Sequence, residues 1–398
     1  MKNLVFSSLF LFLPILLFGQ VEPRTLGDEM PEFSLPLVTN PNQNLSSQDL
    51  AGKVILLDFW ATWCGPCIVG MKHLGELQRT FPEQLAIVPV SKEEQDKLTA
   101  FVDRRGYDFL FVRDSAAFLQ DYFPYAIIPH SVLIDPTGKV VAITDAKFIT
   151  EETIRQVLRS EPIDLMLKQD NLDFDYQADY WNRDSATEQA FVIEPHIPGI
   201  DYYIQRPKEG AFANRRISFF NHPVPALLVT AFDASWYRVE YQESRFDDDD
   251  PEQLYCVDII VPPGEEDQLL PTLRARLAEN LPYQGRMELR DKDVLVLVPT
   301  SRRPAINLPP SEGPLVIEKE AVDTFKATGA TVADFAAWME RYGLAGMPVL
   351  DETRTSGNSF TFDFKFDTDD PKTFIQGLET MGITFQPANR AVKTLVIE

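Results

Sequence analysis

The run Val54–Phe59, VILLDF, passes straight into WATWCGPC and then into IVGMKHLGELQRTF. A continuous apolar run of that length, ending in an acid, is a strand buried on both faces. Val69, Leu74 and Leu77 in the following segment fall at roughly helical spacing, so the reading is strand, short loop, helix. This order places Cys64 at a helix N-terminus, where unpaired backbone N–H groups and the helix dipole favour a thiolate. Cys67 lies three residues on, within reach of a mixed disulfide formed at Cys64. Pro66 suits the first helical turn, where a missing N–H costs nothing.

The chain has 3 cysteines, Cys64, Cys67 and Cys256, too few for a disulfide framework. A zinc site built on Cys-x-x-Cys needs two further thiol or imidazole ligands, usually as a second spaced pair. His73, His130, His196 and His222 are scattered and make no such pair. Redox chemistry is therefore favoured over zinc or a purely structural bridge, and no metal is expected. Cys256, on the alternating stretch YCVD, reads as a buried structural thiol rather than a third redox centre.

At 398 residues, two domains are expected. The formal net charge of −23 disfavours nucleic acid and anionic lipid as partners. The acidic run Asp247–Asp250 lacks calcium-loop spacing and reads as a solvated loop. Residues 1–20, MKNLVFSSLFLFLPILLFGQ, combine Lys2 with an apolar stretch of secretory length, so a signal peptide is expected, with an uncleaved anchor as the alternative. The mature protein is then soluble and extracytoplasmic, for instance periplasmic. No cysteine follows the apolar stretch closely, which argues against a lipoprotein.

DFWATWCGPC resembles the active-site segment of thioredoxins, and its surroundings resemble the envelope TlpA/ResA-like group. The resemblance covers about residues 21–161 and includes the lead-in MPEFSLPLVTNPNQNLSSQDLAGKV and the segment IIPHSVLIDPTGKVV. It implies an α/β domain with a central sheet flanked by helices, and dithiol/disulfide exchange with no cofactor beyond a redox-active Cys64–Cys67 disulfide. Cys64 corresponds to the exposed nucleophile and Cys67 to the buried resolving thiol. Pro129 matches the family's cis-proline and Ile128 the residue before it. Trp63, Gly65, Pro66 and Ile128 then form the substrate-binding rim. Asp58 matches the buried acid of thioredoxin, able to hold the proton of Cys67, or else is a hydrogen-bonded acid at a strand end. Trp60 is either part of the site or core. His130 either tunes the thiolate or is a surface bystander, and His73 reads as a surface residue. CGPC with Ile128 favours reduction of protein disulfides, and an oxidising compartment then calls for a membrane electron donor.

Residues 162–199 read as a connector packed loosely against a domain. Residues 200–398 contain one pattern twice. YCVDIIV…VLVLV from Tyr255 and FTFDFKF…TLVI from Phe360 both read as strand, acidic turn, helix and two short strands, with Asp258 and Asp363 in matching places. VPALLVTAFDASWYRVEYQ and VADFAAWMERYGLAGMPVLDE both read as a helix leading into a strand. Two α-β-β-α-β-β units give an α+β domain. From about Ile217 onward this half resembles a soil-associated family of unknown function, carried by TVADFAAWMERYGLAGMPVLDET and FIQGLETMGITFQP. It is expected to bind or position clients or an envelope partner protein. The leading reading is a thiol-disulfide oxidoreductase; a non-enzymatic binding protein on a thioredoxin scaffold and a disulfide isomerase are the alternatives.

Overall fold

The computed structural model describes residues 21–242, 246, 250–301, 306–355, 357–368 and 370–398. The leader of residues 1–20 and most of the Asp247–Asp250 run lie outside the described residues. The chain divides into two compact units.

The first unit runs to Gln177 and takes back Pro198–Asp201. Its elements are the small hairpin β1 (Ser34–Pro36) and β2 (Asn44–Ser46), then β3 (Val54–Phe59), α1 (Gly65–Thr80), β4 (Leu85–Ser91), α2 (Gln95–Arg105), β5 (Val112–Arg113), α3 (Phe118–Tyr122), β6 (His130–Ile134), β7 (Val140–Thr144) and α4 (Glu151–Leu158). One sheet has the order β5-β4-β3-β6-β7. β3, β4 and β5 are parallel, whereas β6 runs antiparallel to β3 and β7 antiparallel to β6. Alternation along β3 divides the core. Val54 and Leu56 join the cluster that holds Cys64, Cys67 and the inner face of α1, while Ile55, Leu57 and Phe59 join the cluster on the other face. The buried stripe of α1 is Cys67, Met71, Leu74 and Leu77. Val69, expected on that stripe, is 76% exposed, because the true helical phase starts from Cys67.

The first unit does not end at Glu161. The Lys168 backbone N–H donates to the Ile143 carbonyl at 2.9 Å, and the Thr144 hydroxyl donates to the Met166 carbonyl at 2.6 Å. The segment after α4 thus lies along β7, the outer strand of the sheet, and satisfies polar groups there. The expected connector also contains a strand of the second unit.

That second unit comprises Ala178–Ile197 and Tyr202–Glu398. Its elements are β8 (Ala190–Pro195), β9 (Tyr203–Gln205), β10 (Arg216–Pro223), α5 (Val224–Ala231), β11 (Val239–Tyr241), β12 (Leu254–Ile260), α6 (Leu269–Asn280), β13 (Gly285–Pro299), β14 (Val316–Ala321), β15 (Thr324–Ala330), α7 (Val332–Arg341), β16 (Val349–Asp351), β17 (Phe360–Lys365), α8 (Pro371–Thr380) and β18 (Ile383–Ile397). The order β-α-β-β-α-β occurs twice, from β10 to β13 and from β15 to β18. Where two short strands were expected to close each copy, the structure has one 15-residue strand. These long strands pair with each other from Gly285↔Ile397 to Pro299↔Ile383. β11 of the first copy lies parallel to β18 of the second, and β16 of the second parallel to β13 of the first, giving the sheet β11-β18-β13-β16. Each copy keeps its own smaller antiparallel sheet, β8-β12-β10-β9 and β14-β15-β17.

The matched aspartates differ. Asp258 is fully buried and accepts from Arg216 Nε, Arg183 Nε and the Ser218 hydroxyl, each at 2.8 Å. Asp363 sits on the exposed face of β17. Glu340 of α7 is buried, bound by both ends of the Arg238 guanidinium at 2.8 Å and by the Val349 N–H at 2.9 Å. This pair ties the second copy to the first, since Arg238 precedes β11.

Candidate functional site

The strand-to-helix junction builds the site. Cys64 is the N-cap of α1, with extended backbone, and Pro66 lies in the first turn. The Cys67 N–H points at the Cys64 sulfur at 3.2 Å, so an otherwise orphaned helix donor is directed at that atom. Cys64 and Cys67 are joined as a disulfide. Cys64 was expected to be exposed, yet it is 4% exposed against 1% for Cys67. Its N-cap side chain turns inward, with Sγ bonded to Cys67 and 3.9 Å from the Ile128 carbonyl oxygen. The Ile128–Pro129 peptide bond is cis. The structure therefore brings Cys64, Cys67 and the Ile128–Pro129 backbone together. Around them Trp63 is 70% exposed, and Gly65 and Pro66 also face solvent. Trp60 is core, packed on Phe101 and Phe111 with ring centroids at 4.8 and 5.6 Å.

Asp58 is buried at the end of β3, and alternation along the strand puts it on the face shared with Cys67. The Ser131 hydroxyl donates to its Oδ1 at 2.7 Å. Burial pushes its carboxyl up to about 7, against the opposing effects of that hydrogen bond and of Lys168; Asp145 adds to the rise. His130 sits opposite Phe59 in the β3–β6 ladder and so belongs to the other face of the sheet. It is neither a surface residue nor a partner of the thiols. Its ring is buried between Tyr125 and Phe59, and burial holds its pKa down at about 3. His73 is also tied in, through Nε2 to the Ile149 carbonyl oxygen at 2.7 Å.

Glu93 was not singled out from the sequence. Its carboxylate accepts from the Thr62 N–H at 2.6 Å and the Thr62 hydroxyl at 3.1 Å, and it is ion-paired with Lys97. It thereby holds the loop that carries Trp63 and Cys64 from a point 31 residues away. Replacing Glu93 by alanine leaves a part-buried N–H without its acceptor. The oxidised protein is expected to lose about 2 kcal/mol in denaturant unfolding, and Glu93→Gln to recover most of it. An alanine variant as stable as wild type removes this role. Cys256 is fully buried in the second unit, with the Asn221 N–H directed at its sulfur at 3.4 Å, and burial pushes its thiol pKa up. Among the described residues no group of three or more His, Cys, Asp or Glu is placed to hold a metal ion. No helix among them is long and apolar enough to cross a membrane.

Residues 25–158 match the family described as Redoxin, and residues 242–398 match a family described as a protein of unknown function, DUF3738. The thioredoxin-like protein YneN of Bacillus subtilis (strain 168) is 34% identical over 118 residues, 29% of this chain and 68% of the relative. The thiol-disulfide oxidoreductase ResA of Bacillus thuringiensis (strain Al Hakam) is 32% identical over 143 residues, 35% of this chain and 79% of the relative. Among solved structures, a putative thiol:disulfide interchange protein DsbE from Chlorobium tepidum is similar, at 25% identity and a TM-score of 0.30, over 34% of this chain and 96% of that one. The Redoxin match spans the Cys64–Cys67 disulfide. Through its N-terminal domain, the chain belongs to the ResA- and YneN-like family of thioredoxin-fold thiol-disulfide oxidoreductases.

Proposed function

We propose that this protein reduces disulfides of client proteins outside the cytoplasm, through Cys64 and Cys67. The observation that carries this reading is the Cys64–Cys67 disulfide capping α1, with the Cys67 amide aimed at the Cys64 sulfur. In the reduced enzyme the Cys64 thiolate attacks one sulfur of a client disulfide. A mixed disulfide forms and the second client sulfur leaves as a thiolate, which takes up a proton. Cys67, giving its proton to the Asp58 carboxylate, then attacks the Cys64 sulfur of the mixed disulfide. The first client sulfur leaves and is protonated, and the Cys64–Cys67 disulfide is restored. Two electrons and two protons have then passed to the client. Return to the dithiol requires two electrons from a donor, for which a membrane-bound dithiol carrier is the class of partner proposed.

Trp63, Gly65, Pro66, Ile128 and Pro129 form the rim on which the client polypeptide rests. The apolar stretch of residues 1–20 serves as the export signal in this reading. The second domain, which offers no thiol other than the buried Cys256, selects or positions the client or an envelope partner. Equilibration of the pure protein in glutathione buffers, together with turnover of insulin, tests the direction of exchange. A reductase is expected to poise nearer the thioredoxin value of about −270 mV than the value of about −120 mV found in a strong oxidant. A poise at the oxidising end, with transfer of the disulfide to reduced clients, overturns the reductase assignment.

A further inference from the structure

The Asp170 carboxylate, only 5% exposed, reaches the loop before the cis bond. Its Oδ2 accepts from the Ala126 N–H at 2.8 Å and the Ile127 N–H at 3.1 Å. Lys168, 3.2 Å from the same oxygen, donates through Nζ to the Ile127 carbonyl at 2.5 Å. Both polar groups of Ile127 and the N–H of Ala126 are thereby occupied by the strap after α4. The next carbonyl, that of Ile128, is the one that faces Cys64. The strap is itself pinned. The Asn171 N–H donates to the Gly199 carbonyl at 2.6 Å, and a Cβ at Gly199, whose φ is +76°, would lie 2.6 Å from the backbone of Gln169 and Asn171. Only glycine allows the returning segment Pro198–Asp201 to lie this close.

We propose that Asp170 and Lys168 are positioning residues for client docking, which hold the Ala126–Ile127 backbone closed and leave the Ile128 edge as the backbone offered to a disulfide-bonded polypeptide. The proposal rests on the redox reading of Cys64 and Cys67. A polypeptide client docks by pairing with backbone, so it depends on that edge being held in place. A small disulfide needs contact with the sulfurs alone and depends on it far less. The residues that do this lie beyond the thioredoxin-like sheet, on the strap after α4, which the stretch Pro198–Asp201 pins through Gly199.

The test uses the full chain recycled by dithiothreitol, with kcat and KM measured on insulin and on a small aromatic disulfide. In Asp170→Ala the ratio of kcat/KM for insulin to that for the small disulfide is expected to fall on the order of tenfold, through KM. Asp170→Asn keeps an oxygen able to accept both N–H groups, and most of the ratio should return. Circular dichroism and thermal melting establish that each variant is folded. If the alanine variant fails to fold, Lys168→Met, which leaves Asp170 on both N–H groups and frees the Ile127 carbonyl, should show a smaller fall in the same ratio. An unchanged ratio in a folded Asp170→Ala protein, or an equal fall in the alanine and asparagine variants, overturns the proposal. Absence of wild-type turnover on both substrates overturns the redox reading, and this proposal with it.

Discussion

Replacing Cys67 by serine is expected to convert the protein into a trap that stays covalently joined to its clients through Cys64. Without the second sulfur the mixed disulfide has no internal attacker, and release depends on external thiol. Steady-state reduction of insulin at low external thiol should fall by about a thousandfold or more, as when one member of a catalytic unit is removed. Cys64→Ser should abolish both turnover and trapping. The measurement is non-reducing electrophoresis of the two variants after incubation with a disulfide-bonded client, beside the insulin assay. Trapping through Cys67 in the Cys64→Ser protein would reverse the assigned roles. Cys64 is buried in the oxidised state, so the comparison has to be made on reduced protein, where the bond that turns it inward is absent.

The second large effect concerns Asp58. Its carboxyl is raised from 3.8 to about 7 by burial, so between these values the native state holds a proton that the unfolded chain has lost. Stability therefore falls as the pH rises through this window and levels off above about 7. An asparagine can keep a hydrogen bond with Ser131 but has no proton to lose. The stability advantage of Asp58→Asn over wild type should be small near pH 4 and grow with pH, towards about 4 kcal/mol above neutrality. Denaturant unfolding of both oxidised proteins at pH 4.5 and pH 8 measures it, followed on the N-terminal domain. A difference independent of pH would mean that Asp58 is ionised in the native state throughout. In reduced protein the same substitution removes the proton acceptor that the proposed mechanism assigns to Cys67, and on that mechanism resolution of the mixed disulfide should slow by about a hundredfold.

The parts of the site that were legible in the sequence are those set by local order. VILLDF running into WATWCGPC fixes a buried strand, a loop and a helix start, and with them Cys64 at the N-cap. The face of α1 was less legible, because Val69 fits an apolar period as well as Met71 does, and only packing against the sheet shows that Cys67 starts the buried stripe. Partners distant in the chain leave no local trace. Ser131 meets Asp58 across 73 residues and Glu93 meets Thr62 across 31. Lys168 and Asp170 sit in a stretch whose polar, irregular composition is that of a connector, although their side chains are largely buried. The centres of the long strands misled for a related reason. ArgAspLysAsp at Arg290–Asp293 and ProAlaAsnArg at Pro387–Arg390 resemble turns, but both lie within the continuous ladder, where Lys292 stands opposite Arg390 and Asp293 opposite Asn389. Proline is accepted at 387 because β11 covers only Leu395–Ile397 of that strand, so Pro387 has a ladder partner on one side alone.

The pairing of the long strands has its centre at Lys292 opposite Arg390, each drawn to an acid of its own copy, Glu240 at 3.2 Å and Glu352 at 2.7 Å. On either side of this point the two copies exchange their short strands. The arrangement is that of an isologous dimer written into a single polypeptide, in which the joining segment makes the encounter of the two halves intramolecular. Neither copy holds the neighbours that its own long strand requires. A single copy cut from the chain would therefore be an unfinished object with a bare ladder, completed only by a second copy, whereas the intact chain carries its own partner at fixed effective concentration.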